Sequence, residues 1–290
     1  MIHRRSAYLE LRYNSFERKI AIFFLKKKHQ LSRPIFIIGS GRSGTSVLLS
    51  TLRKTLNLPG HGEGHFHPIA ASLLSTTDKY YHSHRSRSLN NKHMLHDVEV
   101  DLVRKKIETM VAEIYLEQYG KNDFVDKTPG PHGVRGIPFI QNAFPNMRVI
   151  FAQRRGIEVV RSSVKKFPQV PFEGHCKIWK DCMVNWQTSR YMLNVPYLEV
   201  DQIDLAMNPL FVAKKIGKLL ELKQNQIDMV QNYLTTDRPQ SSGSLNSGAI
   251  SIDTIGWDDE KIETFRRICG STMEDYGYLE STEYKSTKST

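Results

Sequence analysis

The segment Ile35-Phe36-Ile37-Ile38-Gly39-Ser40-Gly41-Arg42-Ser43-Gly44-Thr45 leaves its chain few folds to choose from. The first four residues are apolar, β-branched or aromatic, and end in glycine, so they read as a short strand buried on both faces. Three glycines follow within six positions, and Thr45 to Leu56 then carries apolar residues at helical spacing. A buried strand that turns through glycines straight into a helix opens a parallel crossover unit, which needs helices to cover its sheet. The remaining pattern agrees. Helices are predicted over about 98–119, 156–166, 173–193, 209–220, 225–234 and 258–275, and strands ending near Asp126 and over Met147–Ala152 and Tyr197–Val200. A further helix is expected from the Pro129-Gly130-Pro131 turn to about Phe144. The fold class is therefore α/β, with a mainly parallel central sheet flanked by helices.

Boundaries come from composition. Helical periodicity over about residues 5–28 stops at Ser32-Arg33-Pro34, which marks a basic N-terminal helical extension (1–32) ahead of one domain (33–280) and a disordered tail (281–290). Residues 57–97 read as irregular and hold seven of the 11 histidines, while 238–248 is a serine-rich loop. Net charge is +11, but nine Lys and Arg against two Glu lie in residues 1–33, leaving 32 against 28 elsewhere. The body is thus only mildly basic, which argues against nucleic acid as a partner. No apolar run reaches the roughly 18 residues of a membrane span, and the start lacks a signal-peptide pattern. The expectation is a cytoplasmic protein whose basic helix offers at most peripheral contact with anionic lipid. Three cysteines, Cys176, Cys182 and Cys269, form no CxxC pair, excluding a disulfide framework or zinc ribbon.

A glycine loop between a strand and a helix aims several backbone N–H groups at one point, at the positive end of the helix dipole, and so makes an anion site. Gly39 and Gly44 keep the spacing of a nucleotide P-loop, so the domain is P-loop-like, but Thr45 stands where that motif demands Lys. The second strong strand, which would carry a magnesium-binding Asp, is followed instead by Gln153-Arg154-Arg155. Cations replace the metal, which disfavours a magnesium-dependent kinase. Arg154, with Ser162 and Lys166 on the following helix, can form a second phosphate site above the same sheet edge. Two phosphate sites on adjacent strand ends point to one ligand with two separated phosphates.

These residues resemble the sulfotransferases that use 3′-phosphoadenosine 5′-phosphosulfate, in the arginine-loop form of bacterial, glycan and tyrosylprotein members. Pro34 to Ser46 is similar to the family's 5′-phosphosulfate loop, which implies donor contacts from Gly41, Arg42, Ser43, Gly44, Thr45 and Ser46. Arg148 to Ser162 is similar to its 3′-phosphate segment, with Arg154 and Ser162 at the contacting positions. Asp126-Lys127-Thr128-Pro129 matches a Lys-Thr-Pro element, and Trp257 with Gly277-Tyr278 brackets a helix as in many bacterial members. The resemblance spans about residues 33–280. Gly41 and Gly156 stand where the family often has proline, and Asp201-Gln202-Ile203 departs from its usual Tyr-Glu-Asp-Leu.

Sulfuryl transfer needs cations on the leaving phosphate, in-line placement and a base for the acceptor proton. Arg42 and Lys127 are the candidate cations. Glu63, in His61-Gly62-Glu63-Gly64-His65-Phe66-His67-Pro68, resembles the catalytic glutamate of tyrosylprotein members, so a carboxylate base is implied. His65, His67 and His132 are its rivals, because neutral imidazole suits proton abstraction near pH 7. His61, Glu63, His65 and His67 are also metal-ligand types, but their spacing fits no specific zinc motif, and no metal is expected. His82, His84, Arg85, Arg87, His93 and His96 form a second cationic segment, read as an exposed lid or as recognition of an anionic acceptor. The expected reaction moves a sulfuryl group to a hydroxyl of a glycan, a tyrosine or a small molecule. The alternative is a non-catalytic anion- or nucleic-acid-binding protein on the same fold, which would need neither Glu63 nor Lys127.

Overall fold

The computed structural model describes residues 32–85, 93–236 and 249–285. The order of elements is β1 (Ile35–Gly39), α1 (Thr45–Leu56), α2 (His67–Arg85), α3 (Met94–Asp97), α4 (Val100–Tyr119), β2 (Val125–Pro129), α5 (Pro131–Gly136), β3 (Arg148–Gln153), α6 (Gly156–Lys166), α7 (Phe172–Met192), β4 (Tyr197–Asp201), α8 (Gln202–Met207), α9 (Pro209–Leu220), α10 (Gln224–Thr236) and α11 (Asp259–Asp275). The sheet runs β2-β1-β3-β4, and every neighbouring pair is parallel. The α/β class read from the sequence is the class observed.

Alternation along the central strands builds two cores. Ile35 and Ile37 of β1, with Ile150 and Ala152 of β3, pack against Leu48, Leu52, Val212, Ile216 and Val230 from α1, α9 and α10. Phe36, Ile38, Val149 and Phe151 point the other way, onto Tyr115, Trp179, Trp186 and Phe265 from α4, α7 and α11. Successive side chains of a strand face opposite sides, so a strand apolar at every position must be covered twice. Both faces are covered here, and the C-terminal strand ends are left as the place where loops converge.

Several elements depart from the sequence reading. Residues 57–97, expected to be irregular, contain the 19-residue helix α2. Its buried stripe is only His67, Ala70, Ala71, Leu74 and Tyr81, set among serines, threonines and histidines, so its apolar period is too faint to read. The short helix α8, which directly follows β4 and is capped by the Asp201 side chain, was also not anticipated. The helix expected to reach Phe144 ends at Gly136 and continues as a 3-10 turn over Ile137–Ile140.

The described residues continue past 280 to Lys285. The Arg155 guanidinium donates to the carbonyls of Leu279, Ser281 and Glu283, and Tyr284 and Lys285 both reach Asp201. A buried arginine surrounded by carbonyls needs those partners, and it holds in place a C-terminal strap, Leu279 to Lys285. The predicted basic helix over 5–28, Arg87, the 238–248 loop and residues 286–290 lie outside the described residues. Among the described residues no helix is long and apolar enough to cross a membrane.

Candidate active site

The glycine loop joins β1 to α1 at the C-terminal edge of the sheet. Gly39 has φ 138° and pairs with Ala152; a β-carbon there would collide with the Ala152 carbonyl. Gly44 caps α1 at φ 87°, with Leu205 of α8 packed where its side chain would be. Glycine is required at both positions, one by close backbone approach and one by a left-handed turn. Arg42 shares that left-handed backbone, at φ 67°, which is uncommon for a residue with a side chain. Ser43 is wholly buried and its hydroxyl lies 2.5 Å from that of Ser40, so it stiffens the loop from within.

Two clusters flank the loop. On the β3 side, Arg42 Nε donates to Ser162 Oγ at 2.9 Å, and Arg154 Nη1 donates to the Arg42 carbonyl at 3.1 Å. Arg154 follows β3 directly; burial pulls its guanidinium below the ordinary arginine range, and its Nε is buried with no hydrogen-bond partner among the described residues. A buried cation with an unmatched donor is costly unless a further acceptor or an anion meets it. Lys166 lies one turn beyond Ser162 on α6, exposed, and makes no hydrogen bond or ion pair to Arg154 or Ser162 among the described residues.

The sequence reading kept Arg42 and Ser162 apart, one on each phosphate site. The structure joins them. A loop residue and a helix residue 120 positions later meet because β1 and β3 are neighbours in the sheet.

On the β2 side, Lys127 is almost fully buried and donates from Nζ to Ser46 Oγ at 3.2 Å and to Glu63 Oε1 at 3.1 Å. The other carboxylate oxygen of Glu63, Oε2, lies 2.7 Å from His65 Nε2. Burial pushes the Glu63 carboxyl up, and the bonds from Lys127 and His65 outweigh it, so the group sits below its usual range. Glu63 is therefore held as the carboxylate, with part of its surface open to solvent.

The other histidines separate by burial. His67 is fully buried, with Nε2 2.9 Å from the Gly133 carbonyl; burial pushes its pKa down and keeps the ring neutral. That contact makes it a packing residue of α2. His132 is exposed beside Arg135, and His61 turns to the Tyr119 hydroxyl at 2.8 Å. Among the described residues no three His, Cys, Asp or Glu side chains come together as metal ligands. Of the second cationic segment, Arg85 bonds to Glu99 and His84 stacks on Tyr80, so both are held within the surface formed by α2 and its neighbours.

Arg155 was not singled out from the sequence, and it does the opposite work to its neighbour. It is wholly buried, paired with Glu158, and bonded to the Ile250 carbonyl and to the strap. Adjacent arginines at a strand end look alike in sequence; here one is satisfied by the protein and the other keeps a buried Nε without a hydrogen-bond partner among the described residues.

The fold and this edge define an α/β protein with a glycine loop and several cationic side chains gathered at the C-terminal end of a parallel sheet. The sequence profile described as the Sulfotransferase family matches residues 34–226. The chain belongs to the sulfotransferase family. Among solved structures it is similar to sulfotransferase STF9 from Mycobacterium avium, with TM-score 0.52 and 14% identity over 87% of this chain and 79% of that one. The sulfotransferase domain of the Synechococcus PCC 7002 olefin synthase aligns with TM-score 0.47 and 21% identity, covering 82% of this chain and 89% of that one. At 14% identity the likeness to the Mycobacterium avium protein is one of fold. A comparison with curated proteins finds no match. Membership assigns the chain to sulfuryl transfer in general and implies a sulfate donor as cosubstrate.

Proposed function

We propose that this protein transfers a sulfuryl group from 3′-phosphoadenosine 5′-phosphosulfate to an acceptor hydroxyl by in-line displacement. The observation that carries the reading is the contact of Lys127 with both Ser46 and Glu63. It sets a cation, a hydroxyl in the first turn of α1 and a carboxylate together at the mouth of an anion-binding loop. A protein that only bound phosphate would gain nothing from an ionised carboxylate in that position, since it repels the ligand.

In this reading the backbone N–H groups of Gly41 to Ser46 and the Ser46 hydroxyl hold the 5′-phosphate. Lys127 and Arg42 neutralise the charge that grows on it as the sulfur–oxygen bond breaks. Arg154 and Ser162 hold the 3′-phosphate, with Lys166 available on the same helix face. Arg42, which already touches Ser162, serves both ends. The acceptor oxygen forms its bond to sulfur while its proton passes to Glu63, and the bonding electrons leave with the phosphate. Binding the donor draws Lys127 toward the phosphate and frees Glu63 for that proton.

A second assignment of the base is favoured by the short Glu63–His65 contact. With Nε2 donating to Glu63, the other ring nitrogen of His65 can accept the proton while the carboxylate orients the ring. The pH dependence separates the two, as argued below.

Calorimetry without magnesium tests the donor class. Adenosine 3′,5′-bisphosphate should bind about 10- to 150-fold tighter than adenosine 5′-monophosphate, the equivalent of one charged hydrogen bond of about 1.5–3 kcal/mol. Equal affinities would remove the 3′-phosphate assignment. Turnover can be followed as release of adenosine 3′,5′-bisphosphate from the donor, with water or an added hydroxyl compound as acceptor, so the natural acceptor need not be known.

A further inference from the structure

The carboxylate of Asp126 is buried one residue before Lys127, and the transfer chemistry has no use for it. Strand alternation turns Lys127 toward the loop and sends Asp126 and Thr128 to the other face of β2. There Asp126 Oδ2 accepts from the Tyr115 hydroxyl at 3.0 Å, and Oδ1 accepts from Thr128 Oγ1 at 2.8 Å. Thr128 Oγ1 in turn accepts the backbone N–H of His65 at 3.0 Å. The Gly64 N–H is bonded to the Lys127 carbonyl at 3.1 Å, and a β-carbon on Gly64 would fall inside the Asp126 carboxylate. His65 is held at φ 57°, a left-handed conformation that a residue with a side chain adopts only where its surroundings impose it.

We propose that Asp126 and Thr128 are positioning residues that fix the turn carrying Glu63 and His65. The chain of bonds runs from α4 through β2 into the turn. Tyr115 donates to Asp126, the carboxylate orients the Thr128 hydroxyl so that its lone pair faces outward, and that lone pair captures the His65 N–H. Burial and the neighbouring Asp126 charge push the Tyr115 hydroxyl well above its usual range, which keeps it a donor. With Gly64 flat against the carboxylate, the turn has one seat, and in it Glu63 reaches Lys127 and His65 together. The proposal rests on the reading that the Glu63–His65 pair takes the acceptor proton.

Thr128→Val keeps the shape of the side chain and removes the hydroxyl, whereas Thr128→Ser keeps the hydroxyl. The measurements are turnover by release of adenosine 3′,5′-bisphosphate, KM for the donor and the calorimetric affinity for adenosine 3′,5′-bisphosphate. Thr128→Val should lower kcat at least tenfold with nucleotide affinity unchanged within about twofold, and Thr128→Ser should restore kcat. In a Glu63→Gln background, Thr128→Val should cost little more, because both changes act on one group. Asp126→Asn and Tyr115→Phe probe the same chain from its far end and should show the same split between kcat and affinity if Thr128→Val does not fold.

Normal kcat in folded Thr128→Val, or equal losses of kcat and nucleotide affinity, overturns the proposal. So does a full additional loss in the Glu63→Gln background where Glu63→Gln is itself slow. If Glu63→Gln turns over normally while Thr128→Val is slow and Thr128→Ser restores it, the base reading fails at Glu63, the positioning stands, and the base moves to His65.

Discussion

At the scale of single residues, Glu63 and Arg42 should behave differently although both face the same loop. Glu63→Gln keeps the size and an acceptor oxygen but cannot take a proton, so turnover should fall roughly 10²–10⁴-fold while nucleotide affinity holds. Measured turnover within a few-fold of the parent would end the carboxylate mechanism. Arg42→Ala should lose affinity and turnover together, because its side chain also holds Ser162; retained affinity would confine Arg42 to the leaving phosphate. The pH profile supplies a third check. Lys127 and His65 hold Glu63 ionised below its usual value of 4.5, so a Glu63 base stays active as pH falls through that value, with the acid limb of kcat/KM beneath it. A limb near about 6.5, where imidazole titrates, assigns the base to a histidine instead.

At the scale of elements, the strand–loop–helix unit depends on Gly39 and Gly44 for different physical reasons. Gly39→Ala meets the Ala152 carbonyl and a φ of 138°, so it forces β1 and β3 apart. The cost should exceed about 2 kcal/mol, read as a lowered midpoint in urea, with weakened adenosine 3′,5′-bisphosphate binding because the loop hangs from that strand. An unchanged midpoint would show that the sheet edge yields more easily than its register implies. The same unit was legible in the sequence because its signals are local: an apolar run, glycines and a helical period. Helix α2 was not legible, since His67, Ala70, Ala71, Leu74 and Tyr81 form a stripe only when α4 and α5 are present to define which side is inside.

At the scale of the whole molecule, the stretch after α11 closes the fold on the edge that holds the site. Asp201 at the end of β4 accepts from Tyr278 at 2.8 Å and Tyr284 at 2.9 Å and pairs with Lys285, while Arg155 at the end of β3 holds the intervening carbonyls. Burial, reinforced by Asp201, keeps both tyrosine hydroxyls protonated and donating. Arg155→Ala leaves the Glu158 carboxylate buried without its cation and should cost about 3–5 kcal/mol, lowering Tm by roughly 10 °C. Ending the chain at Glu283 should lower Tm and weaken adenosine 3′,5′-bisphosphate binding together, because Arg154 is adjacent to the anchored Arg155. Unchanged melting and calorimetry in that shortened chain would separate the strap from the site.

By itself the sequence determined the class of the sheet, the anion loop and the chemical types gathered at it. Those follow from short-range order: backbone conformations that only glycine takes readily, and apolar periods that dictate how many faces are covered. Arg42, Arg154 and Ser162 could be singled out because each sits a few residues from such a signal, whereas Glu63 and Lys127 came from the resemblance to the sulfotransferases. The partners of these residues could not be singled out. That Arg42 meets Ser162, that Lys127 bridges Ser46 and Glu63, that Arg154 keeps a buried unmatched donor while Arg155 is satisfied, and that Thr128 seats His65 all depend on which strand lies beside which. Only the tertiary structure decides this, because the energy of a buried charge or hydroxyl depends on neighbours that are distant along the chain and adjacent only once the sheet has formed.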